Sequence, residues 1–145
     1  MAEFHRLTPT FSVAGQLTAA DIKTAASDGF TAIIQNRPTH EEPRQPPEAE
    51  LRAAATACGL AYHALPFAGP PPPAVVAETA AILEAATGPI LAYCRSGRRS
   101  AMAWALADAL SGAHSPDDIL ALAAGAGYDL SDMRDALMTL APRKS

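Results

Sequence analysis

The sequence is short of most features that would place it outside the ordinary globular class. Aromatic residues make up 6% of its 145 positions and charged residues 18%. Only two cysteines occur, Cys58 and Cys94, which excludes a disulfide-scaffolded secreted domain. No paired metal-ligand spacing is present, so neither a metal nor a cofactor is expected. The N-terminal MAEFHRLTPTF carries Glu3 and has no apolar run behind it, so it does not read as a signal peptide. Positive charge is scarce as well: 11 Lys and Arg against 15 Asp and Glu give a net charge of −4, which disfavours nucleic-acid and anionic-membrane partners. The stretch from Ala53 to Ala77 lacks Asp, Glu, Lys and Arg, but Gly59, Pro66 and the run Pro70 to Pro73 break it, so it is not a membrane helix. A cytoplasmic protein is expected.

What the chain does have is apolar residues, 49% of the total, enough for a real core. Its length suits one domain spanning 1–145. Alanine is abundant, 34 of 145 residues, which predicts close backbone approaches. Thirteen prolines exclude a long coiled coil.

Periodicity predicts alternating strands and helices. Phe4 to Gln16 reads as an extended segment or short hairpin. Thr18-Ala-Ala-Asp21 has the form of a capping box and predicts a helix to about Ser27. Phe30 to Gln35 is apolar and β-branched, a strand covered on both faces. Asn36 to Pro47 is a long polar loop. Glu48 to Cys58 is predicted helical and is closed by Gly59. A strand over Leu60 to Phe67, a helix over Ala74 to Thr87 and a buried strand over Ile90 to Tyr93 follow. Arg99 to Leu110 is a helix apolar on nearly all sides. Ser115-Pro116-Asp117-Asp118 starts another, and a last helix runs from Ser131 to Leu140. The pattern predicts an α/β fold: a mostly parallel sheet of four or five strands with helices on both faces.

The segment Tyr93 to Ser100 carries the chemistry. It joins a buried strand to a buried helix, at the sheet edge where α/β folds bind ligands. Backbone N–H groups of a loop entering a helix N-terminus converge on an anion, and Gly97 lets the loop curl. Arg95, Arg98 and Arg99 are three of the chain's 11 basic residues. A thiol in such a place tends to ionise and becomes a nucleophile, so Cys94 is the expected catalytic residue, with Arg99 neutralising the bound anion. Arg95, Ser96, Gly97, Arg98 and Ser100 are expected to bind substrate, and Arg37 could add a further guanidinium. His40, Glu41 and Glu42, in the long polar loop, are candidate acids or bases. Cys58 reads as structural, or as a partner that resolves oxidised Cys94. His63, Tyr93 and Trp104 read as core.

The loop Cys94-Arg95-Ser96-Gly97-Arg98-Arg99 resembles the six-residue active-site loop of rhodanese sulfurtransferases. The chain as a whole resembles the phosphatase-like domain of beta-lactamase-hydrolase-like proteins, a family also labelled as sulfurtransferases. The resemblance rests on Phe11 to Leu17, Asn36-Arg-Pro38 with Glu41-Glu42-Pro43, Pro89 to Ser100, and Ala126-Gly-Tyr-Asp129. It implies a protein-tyrosine-phosphatase-like fold. It also implies a small anionic sulfur or phosphate substrate, a thiol acceptor, and a persulfide dioxygenase in the same pathway.

Within that resemblance, two departures bear on the reaction. Protein tyrosine phosphatases place five residues between Cys and Arg; here four separate Cys94 from Arg99 and Ser100 stands next. The shorter loop makes a tighter cradle, better matched to a sulfur carried on Cys94 than to a phosphoryl group. Those phosphatases also supply an Asp as general acid, worth roughly 10²–10⁴ in rate. Here no Asp lies between Asp28 and Asp108, and Pro66-Phe-Ala-Gly-Pro70 has no acid. Sulfite leaves thiosulfate without needing a proton. The expectation is therefore a sulfurtransferase working through a Cys94 persulfide. The alternatives are a phosphatase working through a phosphocysteine and a non-catalytic thiol sensor or anion-binding module.

Overall fold

The computed structural model describes residues 2–142. The extended N-terminal segment divides into a hairpin, β1 (His5–Thr8) and β2 (Phe11–Ala14). Then come α1 (Ala19–Ser27), β3 (Ala32–Gln35), α2 (Glu48–Ala57), β4 (Ala61–Ala64), α3 (Pro73–Ala85), β5 (Ile90–Tyr93) and α4 (Arg98–Ser111). α5 (Pro116–Gly125) and α6 (Arg134–Leu140) end the described chain. The five strands form one sheet in the order β1-β2-β5-β3-β4. Only the β1–β2 pair is antiparallel; β2–β5, β5–β3 and β3–β4 are parallel.

Alternation along each strand sends side chains to two separate cores. Ile90, Ala92, Ile34, Phe11 and Val13 face the larger one, where Trp104 of α4 stacks on Phe11 at 6.4 Å. Leu91, Tyr93, Ile33 and Ala14 face the smaller one, packed on Ile22 of α1 and Leu51 of α2. β5 is buried along its whole length. Burying each such aliphatic or aromatic side chain contributes about 1.5–3 kcal/mol. α4 is buried on nearly every side because its inner positions are alanines 101, 103, 105, 107 and 109, which let neighbouring backbones come close.

Local chemistry sets the helix ends. Thr18 Oγ1 accepts from Asp21 N at 3.2 Å and Asp21 Oδ2 accepts from Thr18 N at 2.9 Å, a complete capping box. Ser115 Oγ caps α5 by accepting from Asp118 N at 3.1 Å.

Several predicted spans shorten. The strand expected over Leu60 to Phe67 covers only Ala61–Ala64, because Pro66 has no N–H to continue the ladder. α3 ends at Ala85 rather than Thr87, and Pro73, one residue ahead of the predicted start, occupies its first turn. The last helix opens with a 3₁₀ turn over Ser131–Met133 before α6. His63 lies half-buried on the edge strand β4 rather than in the core. Among the described residues no helix is long and apolar enough to cross a membrane.

Candidate active site

β5 ends at Tyr93, and the next four residues turn the chain into α4. The start of this turn continues the sheet: Cys94 N donates to Ala14 O at 3.3 Å, and Gln16 N donates to Arg95 O at 3.3 Å. Gly15 permits this seat, since a Cβ there would lie 3.0 Å from Arg95 O. Gly97 then takes a left-handed φ of 92° and caps α4. In that conformation its N–H points back and donates to Cys94 Sγ at 3.1 Å. Cys94 is fully buried. Its sulfur thus lies at the positive end of a 14-residue helix, held by a loop amide.

Arg99, on the first turn of α4, is fixed from the opposite side. Its Nη1 donates to Glu41 Oε2 at 2.9 Å and to Phe67 O at 3.1 Å, and its Nη2 donates to Glu41 Oε1 at 2.7 Å. Hydrogen bonding to the Glu41 carboxylate raises the Arg99 pKa above its ordinary value, and the nearby Cys94 sulfur acts in the same direction. In return, Arg99 and then Arg37 hold the Glu41 carboxyl below the usual carboxylate range, despite the opposing effect of burial.

Arg37 follows β3 and is buried. Its Nε donates to Glu41 Oε1 at 2.9 Å and its Nη1 to Gln16 Oε1 at 3.0 Å. Its Nη2 lies 3.5 Å from Glu42 Oε1 and makes no hydrogen bond among the described residues. Glu42 Oε1 also meets Arg95 Nη2 at 2.8 Å. The order Arg99–Glu41–Arg37–Glu42–Arg95 is therefore a chain of alternating charges drawn from the loop after β3, the loop after β5 and the first turn of α4. His40, at φ 61°, is the described non-glycine residue with positive φ, and it turns the chain just before the two glutamates.

The sequence-predicted residues thus meet unevenly. Cys94, Gly97, Arg99, Arg95, Arg37, Glu41 and Glu42 converge. Arg98 turns away: its guanidinium donates to Asp129 O at 2.9 Å and lies 3.6 Å from Asp132. Ser96 is exposed, and its Oγ accepts from Arg98 N at 3.4 Å. Ser100 is fully buried, and its hydroxyl has no partner among the described residues. His40 is exposed. Glu41 is poorly suited to the acid role expected of it, because a carboxylate kept ionised by two guanidiniums has no proton to give. Tyr93 faces the smaller core, where its hydroxyl meets that of Tyr62 at 3.1 Å; burial pushes both phenols up, Tyr62 to about 12.

Three contributors were not anticipated from residue chemistry: Gln16, the Phe67 carbonyl, and Tyr128, whose hydroxyl donates to Ser96 O at 3.1 Å. Gln16 and Tyr128 both lie inside segments that carry the family resemblance, which was the available signal. Among the described residues no cluster of three or more His, Cys, Asp or Glu is placed to hold a metal ion. A groove of about 880 Å³ lies at the opposite end of the sheet, lined in part by Thr10, Trp104 and His114. Its lining contains no cysteine and no guanidinium.

The family model for the phosphatase-like domain of beta-lactamase hydrolase-like proteins matches residues 3–111. A beta-lactamase hydrolase-like protein of Agrobacterium fabrum is 33% identical over 126 residues, 86% of this chain and 29% of the relative. The chain therefore spans less than a third of that protein's length. Among solved structures, a candidate phosphatase from Neisseria meningitidis is 31% identical and superposes with a TM-score of 0.79, over 93% of this chain and 96% of its own. Tk-PTP in its active form shares the fold at a TM-score of 0.71 and 15% identity, over 97% of each chain.

Proposed function

The chain belongs to the phosphatase-like domain family of beta-lactamase hydrolase-like proteins, and on that premise we propose a cysteine-dependent group-transfer enzyme that moves sulfane sulfur through Cys94. The Cys94 thiolate attacks the outer sulfur of thiosulfate or a small persulfide. The S–S bond of the donor breaks, sulfite or a thiolate leaves with the electron pair, and Cys94 holds a persulfide. An acceptor thiolate then attacks the outer sulfur and releases the Cys94 thiolate. The Gly97 amide and the Arg99 guanidinium stabilise negative charge on the travelling sulfur.

One observation carries the choice of sulfur. Neither Glu41 nor the loop after β4 offers a free proton donor. Glu41 is tied up as a carboxylate by Arg99 and Arg37, and the loop after β4 contributes only the Phe67 carbonyl to Arg99. Sulfite leaves unaided; an alkoxide does not. A cytoplasmic setting and a persulfide-consuming oxygenase acting downstream complete the proposal.

The second reading is phosphomonoester hydrolysis through a phosphocysteine. The comparisons favour it over sulfur transfer, since both the family description and the N. meningitidis relative are phosphatase-like. One experiment separates the readings. Wild type and Cys94→Ser are assayed side by side for thiocyanate from thiosulfate and cyanide, and for release of phosphate from an aryl phosphate. Sulfur transfer predicts Cys94-dependent thiocyanate and a mass gain of one sulfur after thiosulfate alone. Aryl phosphate turnover without that adduct establishes the phosphatase reading instead. Turnover of neither by a reactive thiol leaves the sensor.

A further inference from the structure

Resting on the reading of Cys94 as the nucleophile, we infer that Tyr128 is a positioning residue that fixes the orientation of the Ser96–Gly97 peptide, and so keeps the Gly97 N–H on the sulfur. A trans peptide is planar, and its carbonyl and N–H point in opposite directions. In this one peptide unit the carbonyl oxygen of Ser96 accepts from Tyr128 Oη at 3.1 Å, and the N–H of Gly97 donates to Cys94 Sγ at 3.1 Å. Holding one end therefore aims the other.

The hold matters because the unit is free to turn. Gly97 stands at φ 92° and, lacking a Cβ, crosses to other conformations at little steric cost. A half-turn of the peptide plane would replace the donor facing the sulfur with the Ser96 carbonyl oxygen, which repels a thiolate. Tyr128 opposes that turn from outside the loop. Its hydroxyl lies so close to Gly97 that a Cβ there would overlap it. The phenol is itself braced: its ring packs edge-on against His5 at 5.8 Å, and the backbone N–H of Tyr128 donates to Ala123 O at 2.9 Å. The neighbouring residues strap the same loop, with Asp129 O accepting from Arg98 Nη1 and Asp132 facing the same guanidinium. Burial, with the Cys94 sulfur adding to it, raises the Tyr128 pKa, so the phenol remains a donor at neutral pH.

The test uses the full chain with Cys58→Ser, which leaves one thiol to report. Tyr128→Phe keeps the ring and removes only the hydroxyl. Losing one such hydrogen bond should slow alkylation of Cys94 by iodoacetamide at neutral pH about three- to tenfold, and move the pH profile of that reaction upward. His5→Ala loosens the ring packing and keeps the hydroxyl, and should move the profile clearly less than Tyr128→Phe does. Superimposable profiles for wild type and Tyr128→Phe overturn the inference, as does a shift in His5→Ala as large as in Tyr128→Phe, which would assign the effect to packing. Failure of the functional reading looks different: the profile moves in Tyr128→Phe, but the wild type turns over neither thiosulfate nor aryl phosphate.

Discussion

Replacing Glu41 by glutamine tests the charge chain at its most connected member. Glu41 accepts three guanidinium hydrogen bonds, at 2.7 and 2.9 Å from Arg99 and 2.9 Å from Arg37. Glutamine keeps one acceptor oxygen and brings an NH₂ donor against a cation. Charge-assisted bonds contribute about 1.5–3 kcal/mol each when removed. Here water softens part of the loss, because the Glu41 side chain is 25% exposed and that of Arg99 18%; Arg37, at 4%, has no such relief. The expected net cost is about 2 kcal/mol, dominated by the stranded Arg37. For a chain of this length that lowers Tm by about 4–8 °C. The sign of the pH dependence follows from Glu41's depressed pKa. Its contribution is complete above the unfolded carboxyl value of about 4.3 and is lost as pH falls through the lower folded value. Thermal melts of wild type and Glu41→Gln should therefore differ fully at neutral pH and converge in acid. Activity gives an independent reading: if Glu41 only orients Arg99, turnover of whichever of thiosulfate and aryl phosphate the wild type accepts falls. A melting difference of less than about 1 °C at neutral pH would refute the energetic reasoning. Loss of aryl phosphate turnover with thiosulfate turnover intact would make Glu41 the proton donor and refute the rest.

Two other substitutions probe different links. Gly97→Ala forces an L-residue into a left-handed φ of 92° and drives its Cβ into Tyr128 Oη; it should cost at least about 1–2 kcal/mol and slow Cys94 alkylation, read by melting and iodoacetamide kinetics. Thr18→Ala removes the capping box of α1, away from the cradle; a loss of about 1 kcal/mol by urea denaturation is expected, with unchanged turnover.

The parts of this fold legible in the sequence are those fixed by neighbours along the chain. Thr18 and Asp21 announced α1, Ser115 and Pro116 announced α5, and Ile90 to Tyr93 read as a doubly covered strand. Each is a matter of a few consecutive residues. The Cys94 loop was legible for the same reason, since glycine, arginines and cysteine lie within six positions. What was not legible depends on pairing at a distance. Glu41 and Arg99 are 58 residues apart, and Tyr128 and Ser96 are 32 apart. No local pattern says that the loop after β3 folds over the loop after β5 until the strand order sets β3 beside β5. Arg98 illustrates the converse. Composition placed it in the cradle, but on a helix the adjacent positions 98 and 99 point about 100° apart, and only Arg99 faces the sulfur side.

The alanine-lined interior of α4 has a consequence for where this site is vulnerable. A rod seated by the near absence of side chains has no slack with which to absorb bulk. Adding methyl groups at Ala105 or Ala109 would push the whole rod off its bed, and its leading tip at Gly97, about 12 Å from the first and about 18 Å from the second, would carry the displacement to the cysteine. Damage to the Cys94 loop should thus also arrive by leverage from the far end of the molecule.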